Sequence, residues 1–183
     1  LATKLPLADC AQLEAIRAML EIFPWAETDG EHLGIKMEDA ESHALTCTPD
    51  LYHVDPSYVE VKFDSRTPVM ATKENCQDVA AKTAAAHGFD FETPGMVPPH
   101  RVPADSEFVQ KLLHAYESVT GLKGEAMAIG GGTYVHDLKN GVAFGAVLPG
   151  VDTRMHGADE FFDLDNIVLA TKVYAEAILE LCS

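Results

Sequence analysis

The chain has 183 residues, 47% hydrophobic and 23% charged, with a formal net charge of −16. That length suits one ordinary domain or two small ones, and the charge repels phosphate backbones, which argues against a nucleic-acid partner. No apolar run approaches the ~18 residues of a membrane span, and the first ten residues lack the basic-then-apolar pattern of a signal peptide, so no membrane partner is expected.

Four cysteines, at positions 10, 47, 76 and 182, form no C-x-x-C pair. Neither a zinc ribbon nor a redox motif is present, and reduced thiols in a cytoplasmic protein are the natural reading. These cysteines and the single Trp25 read as packing residues.

In chain order, residues 8–23 place Leu13, Ile16, Leu20 and Phe23 on one helical face, and Pro24 stops that helix. Residues 43–49 are short and mixed, with extended character. From Tyr58 to Asp64 the pattern alternates, with Val59, Val61 and Phe63 on one side and Glu60, Lys62 and Asp64 on the other. That predicts a half-buried strand. Residues 73–87 are alanine-rich and end at Gly88, as a glycine-capped helix does. Phe89 to Thr93 alternates again and predicts another strand.

Pro94, Pro98, Pro99 and Pro103 then cluster within ten residues and mark a boundary. Beyond it, Ser106 caps a predicted helix with Val109, Leu112, Leu113, Tyr116 and Val119 on its apolar face, ending at Gly121. Residues 125–129 and 142–147 read as short buried strands. The last helix starts near Asp163 and carries Ile167, Ala170, Tyr174, Ala177, Ile178 and Leu181 at helical spacing. The fold class is α+β: antiparallel strands with helices on one face, then a smaller α/β segment. That segment is small for an independent core. It either packs on the first part or completes a larger sheet supplied elsewhere.

Three stretches carry chemistry. Gly130, Gly131 and Gly132, followed by Thr133, let backbone amides approach an anion; by themselves they also make an ordinary tight turn. The spacing is neither G-x-G-x-x-G nor a P-loop, so nucleotide binding is disfavoured. His156 is a potential zinc ligand, with Asp159 and Glu160 near enough in sequence to orient it. One histidine is not a metal site, and the others (32, 43, 53, 87, 100, 114 and 136) form no recognised ligand spacing. Arg66 ends the alternating strand, and arginine is the bidentate partner of carboxylates; a surface ion pair is its plainer use. His53, Asp55 and Tyr58 fall in a segment that reads as a solvated loop.

The order of these stretches resembles a known family. A strand ends in D-x-R-x-P-V. After a helix and a proline-rich link comes S-x-x-V-x-x-L-x-x-x-Y-E-x-V-T-G. Then follow A-I-G-G-G-T-Y, G-V-A-F-G, P-G, H-x-x-D-E and a final helix with Y-A-E-A-I. This is similar to the C-terminal portion of PepV-type dipeptidases, in the two-zinc family that also holds aminoacylase, succinyl-diaminopimelate desuccinylase and glutamate carboxypeptidase.

The resemblance implies that residues 1–98 are a partial, ferredoxin-like lid and 99–183 the C-terminal segment of a metallopeptidase catalytic domain. It implies that His156 binds one of two zinc ions, with Asp159 and Glu160 behind it. Arg66, Gly131, Gly132 and Thr133 would receive the substrate's carboxylate. No residue present is assigned a catalytic role. Val135 and His136 stand where the family usually has Ala-Arg, and the family's H-x-D-x-V-P pair, bridging aspartate and Glu-Glu pair do not occur in these residues.

Two-zinc hydrolysis needs a metal-bound hydroxide, a polarised carbonyl and a general base. The expectation is therefore a C-terminal fragment of a zinc dipeptidase, inactive alone and not holding zinc tightly, whose partners are a dipeptide and its missing N-terminal half. The alternative is a non-catalytic binding or dimerisation module derived from the lid.

Overall fold

The computed structural model describes residues 10–145 and 147–183. It is α+β, with small antiparallel sheets and four α-helices among the described residues. The chain divides into two units. One runs up to His100 and takes in Ala128–Gly131; the other holds Arg101–Met127 and Gly132–Ser183.

The first unit opens with α1 (Ala11–Ile22), which buries Leu13, Met19 and Ile22; positions 8 and 9 of the predicted helix lie outside the described residues. Two short strands, β1 (Glu38–Asp39) and β2 (His43–Ala44), pair antiparallel. The turn between them is held by Asp39, whose carboxylate accepts from the Ser42 backbone N–H at 2.6 Å and its hydroxyl at 2.8 Å. β3 (Thr46–Val54) and β4 (Val59–Arg66) form the main hairpin, with Thr46 opposite Arg66 and Thr48 opposite Asp64. The register slips between Pro49 and Leu51, where proline offers no ladder donor.

A π-helical turn (Lys73–Gln77) leads into α2 (Asp78–Ala86). Thr72 and Asn75 cap that turn reciprocally, each side chain accepting from the other's backbone N–H. At the other end Gly88 adopts φ 81°. The Phe89 N–H donates to the Ala84 carbonyl and the Gly88 N–H to that of Ala85, both at about 3.0–3.1 Å. This double bond pattern is a Schellman stop, which needs a residue free to enter the left-handed region. The core gathers Met19, Ile22, Phe23, Leu33, Ile35, Leu45, Cys47, Ala71, Cys76 and Ala80, with Val59, Val61 and Phe63 of β4 half-buried against it.

The predicted strand at 89–93 does not form. Its alternation reports packing instead: Phe89 and Phe91 lie against the core, and the Phe91 ring sits 6.2 Å from that of Phe63. Trp25 is 96% exposed, and Cys10 and Cys182 are exposed too. Of the five residues expected to pack, only Cys47 and Cys76 do so.

The second unit is built on α3 (Glu107–Thr120) and α4 (Leu164–Cys182). Ser106 accepts from the Val109 N–H and caps α3, and Gly121 closes it at φ 69°. Asp163 caps α4 by accepting from the Asp165 N–H at 2.8 Å. Leu112, Ala115 and Ala177 are buried together, with Phe108, Val142 and Phe144 packed on them. His114 Nδ1 and Glu180 Oε1, 2.7 Å apart, join the two helices through a hydrogen bond.

The strands expected at 125–129 and 142–147 are not formed among the described residues. Met127 and Ile129 are largely exposed. An isolated extended segment has no ladder partner and no face to bury. The predicted face of α4 is also mostly uncovered: Ala177 is buried, whereas Ile167, Ile178 and Leu181 stay exposed and Val173 takes the inner position. No helix among the described residues is long and apolar enough to cross a membrane.

Candidate functional site

β4 ends at Arg66, so the guanidinium stands at the rim of the hairpin, half exposed. Strand alternation puts Asp64 on the same outward face. Its carboxylate lies 2.6 Å from Arg66 Nε. Across the ladder the outward neighbours are Thr46 and Thr48, which are exposed and uncharged.

The glycine stretch splits between the two units. Gly130 and Gly131 group with the first, beside Arg66. A methyl group built on Gly130 would lie 3.7 Å from Arg66 Cβ, and one on Gly131 would lie 3.9 Å from Arg66 Nη1. Two bare backbone units therefore border the arginine with no side chain between. Glycine at both positions keeps a side chain from filling the space beside the arginine.

Gly132 and Thr133 belong to the second unit. Thr133 starts a turn, accepting from the His136 N–H through its carbonyl at 3.0 Å. Here the sequence expectation of a strand leading into the loop is replaced by an exposed segment ending in that turn.

His156 lies in the second unit, exposed, on a tightly folded run. Arg154, His156 and Asp159 all have positive φ, at 55°, 63° and 56°. Side chains other than glycine, asparagine and aspartate visit that region at a cost. Gly157 relieves part of the crowding: an added methyl there would come 2.9 Å from the Arg154 carbonyl oxygen. Asp159 and Glu160 are exposed and make no hydrogen bond to His156 among the described contacts.

Among the described residues no group of three or more histidine, cysteine or acidic side chains is placed to hold a metal ion. A two-zinc centre does not fit the residues described.

The sequence places His53, Asp55 and Tyr58 in a segment with the character of a solvated loop. The structure puts His53 in β3 and Asp55 and Tyr58 at the hairpin tip. His53 Nε2 is 3.2 Å from Asp55 Oδ2, and its ring stacks on Tyr58 with centroids 4.9 Å apart. The hydroxyl and backbone N–H of Ser57 hold the Asp55 carboxyl well below the ordinary carboxylate range. These bonds all stay within the turn, so the cluster is a hairpin stop. Asp64, the first residue of the D-x-R-x-P-V stretch, is the acid that makes the surface ion pair given above as the plainer use of Arg66, although no role is assigned to it there. The i, i+2 spacing of opposite charges on one strand face was the available signal.

What the structure brings together here is an arginine at a sheet rim and bare glycine backbone beside it. Comparison with known proteins supplies the class. The profile of peptidase family M20/M25/M40 matches residues 7–180, and the chain belongs to that family.

The chain is 35% identical over 156 residues to a Bacillus subtilis (strain 168) protein named "Putative dipeptidase YtjP", covering 85% of this chain and 33% of that protein. It is 43% identical over 101 residues to "Putative dipeptidase SH1171" of Staphylococcus haemolyticus (strain JCSC1435), covering 55% of this chain and 22% of that one. "Putative dipeptidase SAUSA300_1697" of Staphylococcus aureus (strain USA300) is 38% identical over 109 residues, 60% of this chain and 23% of that protein. The matches thus span a third or less of the length of these curated relatives.

Proposed function

We propose that this chain is the C-terminal part of a cytoplasmic, metal-dependent dipeptidase, carrying the site for the substrate's carboxylate and one histidine of a zinc centre. The observation that carries the reading is the placement of Arg66 against Gly130 and Gly131 in a chain of this peptidase family. In the proposed role Arg66 takes the terminal carboxylate of a dipeptide through paired N–H donors. The glycine backbone admits it, and Gly132 and Thr133 extend the same loop. His156 contributes one ligand, with Asp159 and Glu160 behind it. Zinc held by the longer protein would supply a Lewis acid and an activated water.

The domain assignment belongs to the same proposal: residues 1–98 as part of a lid and 99–183 as the end of a catalytic domain. The uncovered apolar side chains of α4 support it. Val168, Ile178 and Leu179 are each more than half exposed, and a helix with apolar groups on several faces is built to be covered by more protein. The proposed cover is the remainder of the same enzyme. The β3–β4 sheet, two-stranded among the described residues with Tyr52 and Val54 half exposed, favours one second reading, a lid-derived binding or dimerisation module.

The test is to read the coding frame upstream of Leu1 and express the longer protein it specifies. An in-frame H-x-D-x-V-P, with dipeptide hydrolysis whose KM rises at least tenfold in Arg66→Lys, supports the dipeptidase. A start codon at Leu1, or hydrolysis unaffected by Arg66→Lys, contradicts it.

A further inference from the structure

Resting on the reading of Arg66 as a carboxylate receptor, we infer that Asp64 is the positioning residue of that receptor, closing on Nε so that the two outer nitrogens of Arg66 are left for the ligand. The guanidinium has an inner side, at Nε, and an outer edge formed by Nη1 and Nη2. Asp64 Oδ2 sits 2.6 Å from Nε. The nitrogen that a methyl group built on Gly131 would meet, at 3.9 Å, is Nη1. The acid and the open glycine wall therefore meet different parts of one planar group.

The neighbouring charges leave Asp64 to this task. Lys62, two residues earlier on the same face, lies 3.8 Å from Glu60. Thr46 and Thr48 across the ladder carry no charge. Asp64 and Arg66 are each about half exposed, at 51% and 49%, and an ion pair so wetted contributes little to folding. What it does is restrict rotamers. An arginine side chain free in solvent loses conformational freedom when it binds, and one already held loses less.

This role has a signature that simple charge balance lacks. Asp64 is an anion beside an anion site. If it only neutralised Arg66, removing its charge would tighten carboxylate binding. If it positions Arg66, removing it loosens binding despite the more favourable charge.

The experiment uses the 183-residue chain labelled with nitrogen-15. The Arg66 Nε–H and Nη–H resonances are identified by their loss in Arg66→Lys and followed by NMR during titration with glycylglycine, with glycylglycinamide as the control lacking a carboxylate. The expected result is that glycylglycine, and not the amide, shifts the Nη resonances. In Asp64→Asn the affinity falls about fivefold and the Nε proton exchanges faster with water, and Asp64→Glu recovers part of both. Equal or tighter binding by Asp64→Asn overturns the inference.

Nη resonances in the unaltered chain that ignore glycylglycine overturn the carboxylate reading itself. The Nε exchange rate then decides the Asp64 contact alone: faster exchange in Asp64→Asn supports it, and an unchanged rate overturns it. Circular dichroism on each variant separates these outcomes from unfolding.

Discussion

Tyr174 of α4 donates its phenolic O–H to the Phe144 carbonyl at 2.8 Å, and the two rings meet edge to face with centroids 5.8 Å apart. This residue adds a hydrogen bond to the packing of Val142 and Phe144 on the cluster that includes Ala177 of the last helix. Burial is the main reason its hydroxyl ionises less readily than usual, with Tyr134 adding to it. Replacing it with phenylalanine keeps the ring contact and strands the carbonyl. Tyr174→Phe is expected to destabilise the second unit by about 1 kcal/mol, a fall of roughly 4–8 °C in the melting temperature of a unit this small. Scanning calorimetry measures it, and an unchanged melting temperature would count against the bond.

Cys47 and Cys76 behave as apolar side chains. Burial pushes the Cys47 thiol up to about 12, with Cys76 and nearby acids adding to the effect, and burial raises Cys76 in the same direction. Since the thiolate is the reactive form, a thiol-specific reagent at pH 8 is expected to label two sites quickly in the folded chain, the exposed Cys10 and Cys182. All four should react in denaturant. Mass spectrometry of the labelled peptides reads this directly, and rapid labelling at Cys47 would contradict the buried assignment.

The β1–β2 turn gives the first unit an acid-sensitive clasp. Asp39 accepts from the backbone and hydroxyl of Ser42, and those bonds, the backbone one foremost, hold its carboxyl below the ordinary range. Its carboxylate also reaches the Met70 N–H at 3.3 Å, while Ser42 accepts from the Val69 N–H. A depressed folded pKa contributes stability above the unfolded value, and that stability is lost as pH falls through the folded one. The window therefore lies below about pH 4. Asp39→Asn is expected to lower the melting temperature at pH 7 and to differ less from the unaltered chain at pH 3. A gap that widens on acidification would show the sign to be wrong.

Local signals in the sequence carried much of the fold. Ser106 and Gly121 bracket α3, Asp163 starts α4, Gly88 stops α2, and the alternation from Val59 marks β4, because each acts through its own backbone or nearest neighbours. What failed depends on distant partners. Phe89 and Phe91 alternate like a strand, yet alternation records only which side is buried. Whether a ladder forms needs an adjacent strand, and none is paired there. The face of α4 was misjudged for the same reason, since periodicity cannot say how many neighbours a helix will have. At the candidate site, Arg66 and the glycines were legible by type. An ion pair for Arg66 was legible too, but not that Asp64 meets it at Nε, because that depends on which way two side chains turn on one strand face.

Zinc content and dipeptide hydrolysis are to be measured on the 183-residue chain alone and on the longer protein proposed above. The account predicts substoichiometric zinc and no turnover from the chain alone, and both zinc and turnover in the longer protein. Stoichiometric zinc and turnover from the 183 residues by themselves would contradict it, because a metal centre would then have to be built from side chains that lie apart among the described residues.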